Sequence, residues 1–265
     1  MPTRNSARLR QQGFSMLEIL IVVGILGIIS GGILSQMDVA QQRGYSEQQK
    51  LDNFQEARDF VDQFFRDVNQ IGYPNSRLVD TTQLTWSPAL ATQTAIGTTY
   101  TWASPYVVDN RLAVGFVAIG SDFVQFEGDM NGNGVVQSIL YKINGSGSCT
   151  LCLQRSQADK VSADPLNGQT LNWGTEANDV ITTPIFSYFK ADGTQIPDAS
   201  LPLDISTSAG ATALASVKTI KISLTIRNNL VIDPKTNQAI ETNFEGEVSI
   251  NNCSMATVGS PQSCQ

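Results

Sequence analysis

The sequence predicts an α+β protein: a long N-terminal helix, membrane-spanning in its first half and amphipathic in its second, packed on an antiparallel β-sheet head. Three observations predict it. From Phe14 to Leu34 run 21 residues whose only charge is Glu18. Beyond them, Phe54, Ala57, Val61, Phe64, Val68 and Ile71 recur at spacings of three and four, one face of a helix. From residue 75 onward the apolar positions alternate instead, as in half-buried strands.

The chain divides into a basic leader over 1–13, a long helix over 14–73 with its membrane part at 14–34, and a β-rich head over 74–265. The leader holds Arg4, Arg8 and Arg10 and no acid, a bias that keeps the N-terminus in the cytoplasm and sends the head across the membrane. At about 1.5 Å per residue the apolar run spans about 30 Å, enough to cross a bilayer core. A cleavable secretory signal has a shorter apolar region and a small-x-small site behind it. Ser35-Gln36-Met37-Asp38 supplies no such site, so the segment is expected to stay in the protein.

Glu18 is the anomaly of this helix. A carboxylate in an apolar span costs about 2.5–3.5 kcal/mol on insertion scales and calls for a partner. The next basic residue along the chain is Arg43. Cleavage after Gly13 would create an α-amine on Phe14, and in a parallel bundle a neighbour's amine could sit beside Glu18. The alternative is a carboxylate that reaches the headgroups or is protonated. Gly24, Gly27, Gly31 and Gly32 include one small-xxx-small pair, Gly27 and Gly31, which suits close helix approach and also suits an ordinary membrane helix.

Residues 35–71 contain no Pro and one Gly, Gly44, so the helix continues. Gln36 to Lys50 is polar on most sides and is expected to be exposed. Farther on, Glu56, Arg58, Asp59, Asp62, Arg66 and Asp67 take the positions off the apolar face. Gly72-Tyr73-Pro74 ends the helix.

In the head, Ile220, Ile222, Leu224 and Ile226 alternate with polar residues; so do Val124 and Phe126, and Ile139, Tyr141 and Ile143 recur in the same way. Further strands are expected near 100–108, 112–119, 149–155, 180–190 and 241–250, with turns at Asp192-Gly193 and Asn228-Asn229. Residues 158–180 and 193–216 read as long loops. The lack of a strong helix pattern between strands favours antiparallel sheet.

The net charge is -7 over 265 residues, and without the leader the chain holds 14 basic and 24 acidic residues. That balance disfavours nucleic-acid binding. There is no histidine, which removes triad hydrolysis and His-ligated metals. No nucleophile–base pair, phosphate loop or paired-carboxylate site stands out, so the chain reads as a structural subunit and not an enzyme. The competing class is a membrane-anchored periplasmic enzyme or binding protein.

Four cysteines, Cys149, Cys152, Cys253 and Cys264, lie beyond the membrane segment, and an even count in an exported domain favours disulfides. Cys253 and Cys264 bracket a short Gly/Pro/Ser-rich loop suited to a bridge. Cys149 and Cys152 would be about 10 Å apart in an extended strand and can pair only if the chain turns there. A redox motif would need a βαβ context, and zinc through these thiols is disfavoured outside the cytoplasm.

Asp129, Asn131 and Asn133, the last two each followed by Gly, read two ways. They place oxygen ligands at alternate positions like the first half of a calcium loop, but the twelfth position is Leu140, not an acid. Strands flank them on both sides, so a hairpin turn built from Asn and Gly is the favoured reading. No other cofactor is expected. Trp86, Trp102 and Tyr106 could form a sugar- or surface-binding patch or belong to the core.

Gly13-Phe14-Ser15-Met16-Leu17-Glu18, behind a basic leader and before an unbroken apolar helix, resembles the class III signal of type IV prepilins and pseudopilins. The resemblance implies a pilin-like fold, cleavage by prepilin peptidase between Gly13 and Phe14, methylation of the Phe14 amine, and an assembly role for Glu18. It implies minor and major pilins or pseudopilins as partners, together with the peptidase/methyltransferase and an inner-membrane platform. It also implies a single-pass inner-membrane location before assembly into a pilus or pseudopilus, and a C-terminal disulfide loop. The stretch from Ala57-Arg58-Asp59-Phe60 through Phe65-Arg66-Asp67-Val68 to Ile71-Gly72-Tyr73-Pro74 resembles PilW-like minor pilins and J-type pseudopilins, as does Ile185–Phe189 with Asp192-Gly193.

Overall fold

A computed structural model describes residues 15–74, 92–95, 98–101, 110–144, 151–160, 166, 169–181, 184–233 and 238–250. The leader, Gly13, Phe14, Trp86, Trp102, Tyr106, Cys149, Cys253 and Cys264 lie outside them.

Helix α1 spans Met16–Asn69, 54 residues or about 80 Å. Ser15 enters it from an extended conformation, and the Glu18 and Ile19 N–H groups both donate to the Ser15 carbonyl. The last turn tightens: Gln70 and Ile71 donate to carbonyls three residues back, and Gly72 takes a φ of 73° that a side chain would oppose. The helix therefore ends at Asn69, a turn short of the expected stop. Beyond it Gly72 donates to the Glu127 carbonyl, Asp129 to that of Tyr73 and Ala113 to that of Pro74.

Among the described residues eleven strands follow this stop, all in antiparallel ladders. β1 (Thr92–Ala95) and β2 (Thr98–Thr101) form a hairpin. β3 (Phe116–Ile119), β4 (Phe123–Gly128), β5 (Gln137–Ile143), β6 (Leu153–Asp159), β7 (Trp173–Ala177) and β9 (Leu203–Asp204) form a six-stranded sheet in the order β7-β6-β5-β4-β3-β9. β8 (Phe186–Lys190), β10 (Val217–Asp233) and β11 (Gln238–Ser249) form a three-stranded sheet in the order β11-β10-β8. The two sheets meet where Ile185 and Phe186 donate to the Ser121 carbonyl and the Tyr188 hydroxyl lies 2.9 and 3.0 Å from the carbonyls of Gly120 and Phe123.

The C-terminal half of α1 lies over both sheets. Phe64 touches the Tyr141 ring of one, centroids 5.1 Å apart, and the Phe186 ring of the other at 5.6 Å. Ala57, Phe60, Val61, Phe64, Val68 and Ile71 are all buried there with Phe126, Ile139, Leu153, Ile220 and Ile222.

Several expectations need correction. Phe54 belongs to the apolar periodicity but is 45% exposed, because it lies at the rim against the Phe244 ring. Asp67, assigned to the polar face, is 3% exposed. The two supposed long loops hold β7, a 3₁₀ turn at Asp198–Ser200, β9 and helix α2 (Ser208–Ala215). Small residues give α2 no apolar stripe, but Thr207 caps it by accepting from the Gly210 N–H at 3.0 Å. Asn228-Asn229 makes no turn; β10 runs through it to Asp233 with a register shift between Asn228 and Ile232. In β4 both faces are buried, so alternation there marks two covered faces rather than one wet face. The Asp192-Gly193 turn is as expected, with Gly193 donating to the Lys190 carbonyl.

Candidate functional site

The N-terminal half of α1 is a naked apolar rod. Met16 to Leu34 are exposed along their whole length, Ile28 at 79%. Gly24, Gly27, Gly31 and Gly32 have no neighbouring atom within 4 Å of where a Cβ would stand. Among the described residues, α1 is the helix long and apolar enough to cross a membrane. Glu18 lies in its first turn. Among the described residues no cation pairs with it, and Arg43 is about 37 Å farther along the axis.

The C-terminal half carries the head, and two buried polar clusters secure it. The Asp67 carboxylate accepts from the Tyr141 hydroxyl and the Arg155 Nε, each at 2.7 Å, and from Gln63 Nε2 at 2.8 Å. The Arg155 guanidinium also lies 5.8 Å from the centroid of the Tyr141 ring. Burial first, and then the charge of Asp67, push the Tyr141 hydroxyl well above its ordinary value. Close by, the Lys160 ammonium donates to Glu127 Oε2 at 2.8 Å and to the Leu112 carbonyl at 2.7 Å, with both side chains fully buried. Burial raises the Glu127 pKa, and the Lys160 charge opposes that shift. None of these charged groups was singled out by sequence; the one signal was a basic residue in or beside a strand, at Arg155 and Lys160.

The sequence-derived sites fare differently. Asp129 accepts from the backbone N–H groups of Asn133 at 3.1 Å and Gly134 at 2.8 Å, and Asn133 Oδ1 accepts from Val135 N–H at 2.9 Å. Asn131 Oδ1 accepts from Gln157 at 3.3 Å. These oxygens close the turn between β4 and β5, with Gly132 and Gly134 at positive φ. Among the described residues no group of three or more His, Cys, Asp and Glu could hold a metal ion. Cys152 is buried and disulfide-bonded, and Leu151 before it takes a φ of 59°, a reversal in the chain next to the Cys-x-x-Cys pair.

An apolar helix with one acid in its first turn, seated on antiparallel sheets, defines an α+β, pilin-like subunit whose N-terminus fits membrane anchoring. Residues 8–34 match the family described as the prokaryotic N-terminal methylation motif, the class III signal of type IV pilins and pseudopilins. The match covers the N-terminal segment alone and supports a signal of the type IV pilin or pseudopilin kind there. No curated protein matches the chain significantly.

Proposed function

We propose that the chain is a minor type IV pilin, PilW-like, which primes or caps pilus assembly in complex with other minor subunits. One observation carries the reading: an acid in the first turn of a helix whose membrane-length stretch is otherwise uncharged, with no cation paired to it among the described residues. Prepilin peptidase cuts between Gly13 and Phe14, and the Phe14 amine is methylated. The amine of one subunit then neutralises Glu18 of its neighbour and sets their axial stagger. Exposed Ile19, Val23, Leu26, Ile33 and Met37 follow a spacing of three, four and seven along α1, a seam suited to a parallel neighbouring helix.

The second reading is a J-type pseudopilin of a type II secretion system. Its support is the likeness of the stretch ending in Gly72-Tyr73-Pro74 and of Ile185–Phe189 to both groups. In either case the head is periplasmic before assembly. Cys253 pairs with Cys264, and Cys152 with Cys149 across the reversal at Leu151.

Intact mass and N-terminal sequencing of the protein from its native host test the proposal. The expected product begins at N-methyl-Phe14. A product that retains Met1 and Arg10 overturns it. Glu18→Val is expected to cut filament incorporation by about tenfold or more while the head stays folded, a loss equivalent to about 1.4 kcal/mol of subunit pairing.

A further inference from the structure

The part of α1 that lies on the head is seated in two ways. From Ala57 to Ile71 the buried residues are apolar, Asp67 excepted. Nearer the membrane-length segment the buried residues are Ser46, 2% exposed, and Asn53, 4% exposed. Asn53 Oδ1 accepts one long bond from Gln49, at 3.3 Å, and its Nδ2 is buried with no acceptor. An amide enclosed in this way loses its water and gains little in return.

The change in character falls at one level of the head. β8 pairs with β10 as far as Ile222, which faces Phe186 on one side and Gly246 on the other. At Gly246 the sheet comes close to the helix: a Cβ there would stand 2.9 Å from the Phe65 ring and 3.4 Å from Val61. Past this level β10 and β11 continue as a two-stranded arm along α1, with Phe244 meeting Phe54 at 6.0 Å between ring centroids. Asp179, Ile181 and Ile185 brace the arm from the side, among the described residues as far as Arg227, and its register slips just beyond, between Asn228 and Ile232. The arm buries Leu224, Ile226 and Ile240, while α1 offers Ser46 and Asn53 on its buried face at this level. Apolar strand and polar helix are poorly matched, unlike the apolar seat below.

We propose that this upper seat is a joint built into the fold. Above Gly246, α1 and the β10–β11 arm part, while the seat from Ala57 to Ile71 stays closed. Parting returns the Asn53 amide to water and frees the helix from Ser46 to Asn53, about 12 Å of its length. The head can then change its angle to the membrane-length segment without leaving the helix. The joint does not depend on whether the subunit serves a pilus or a secretion system.

Thiol labelling of the full chain in detergent micelles tests it. Ser46→Cys replaces one small side chain by another, and Val68→Cys gives a buried reference on the same helix; the unsubstituted protein is the blank. With an aromatic disulfide reagent in excess, Ser46→Cys is expected to react about tenfold faster than Val68→Cys, because a local opening exposes only the first. Equal rates overturn the proposal. Adding Asn53→Leu to Ser46→Cys removes the stranded amide and is expected to slow labelling about threefold or more. An unchanged rate overturns it as well.

Discussion

The two halves of α1 are built from the same kinds of residue and use them in opposite ways. Ile19, Leu26 and Ile33 are exposed, whereas Val61, Phe64 and Val68 are buried. The stretch from Met16 to Leu34 is apolar on every side and charged only at Glu18; the stretch from Ala57 onward is apolar on one stripe and charged around the rest. Apolar character all round calls for an apolar surrounding that the described residues do not supply, and it fits membrane anchoring. A single stripe calls for a partner on one side, and the chain supplies that partner as its own head. Helix length alone does not separate these uses; the angular distribution of side chains does.

The sharpest way to break the comparison is to truncate one apolar residue in each half. Phe64→Ala removes the ring that touches both sheets and is expected to cost the head about 3–5 kcal/mol. Ile28→Ala should leave head stability within about 0.5 kcal/mol. Urea unfolding of the full chain in detergent reads both. A large effect of Ile28→Ala would mean that the first half also packs on the head.

Asp67 comes next. Asp67→Asn keeps the shape and removes the charge that Arg155 and Tyr141 share, with an expected cost of about 2–3 kcal/mol. A double-mutant cycle with Tyr141→Phe divides that cost between the two partners. Additive losses would show that Tyr141 carries none of it.

The smallest effect is a pH slope at Glu176. Burial raises its pKa, Asp67 adds to the shift and Arg155 opposes it. The folded chain therefore holds more proton than the unfolded chain just above the ordinary carboxylate value, and stability falls as pH rises through that window. Glu176→Gln should gain on the unsubstituted protein between about pH 4 and pH 7, by less than about 1 kcal/mol because water reaches the group. No gain, or a loss, would mean that the attraction of the Arg155 charge outweighs burial.

How much of this could be read from the residues depends on the range of each interaction. The helix and the alternating β10 strand rest on neighbours within a few positions, and both were legible; the helix end was read a turn too late. The role of Asp67 was not, since its partners Tyr141 and Arg155 lie 74 and 88 residues away. By local spacing Asp67 sits beside charged Arg66 and looks like one more wet position. Helix α2 was missed because its small side chains carry no period, and β7 because Gly174 and Glu176 break the β pattern. In the candidate site, Glu18 was legible from its isolation among apolar residues. The turn geometry of Asp129, Asn131 and Asn133 needed coordinates, because alternate oxygens can serve a hairpin or a cation.

The stitching just past the helix end has a mechanical consequence. Gly72, Asp129 and Ala113 tie the chain after α1 to the start and finish of neighbouring strands, and the backbone at Gly128 passes so close to Gln70 that a Cβ would stand 2.3 Å from its carbonyl oxygen. A pull along the rod loads these bonds and the carboxylate anchor at Asp67 together, in shear, so no single one must fail first for the others to bear tension. The head behaves as cargo riveted to the end of its shaft.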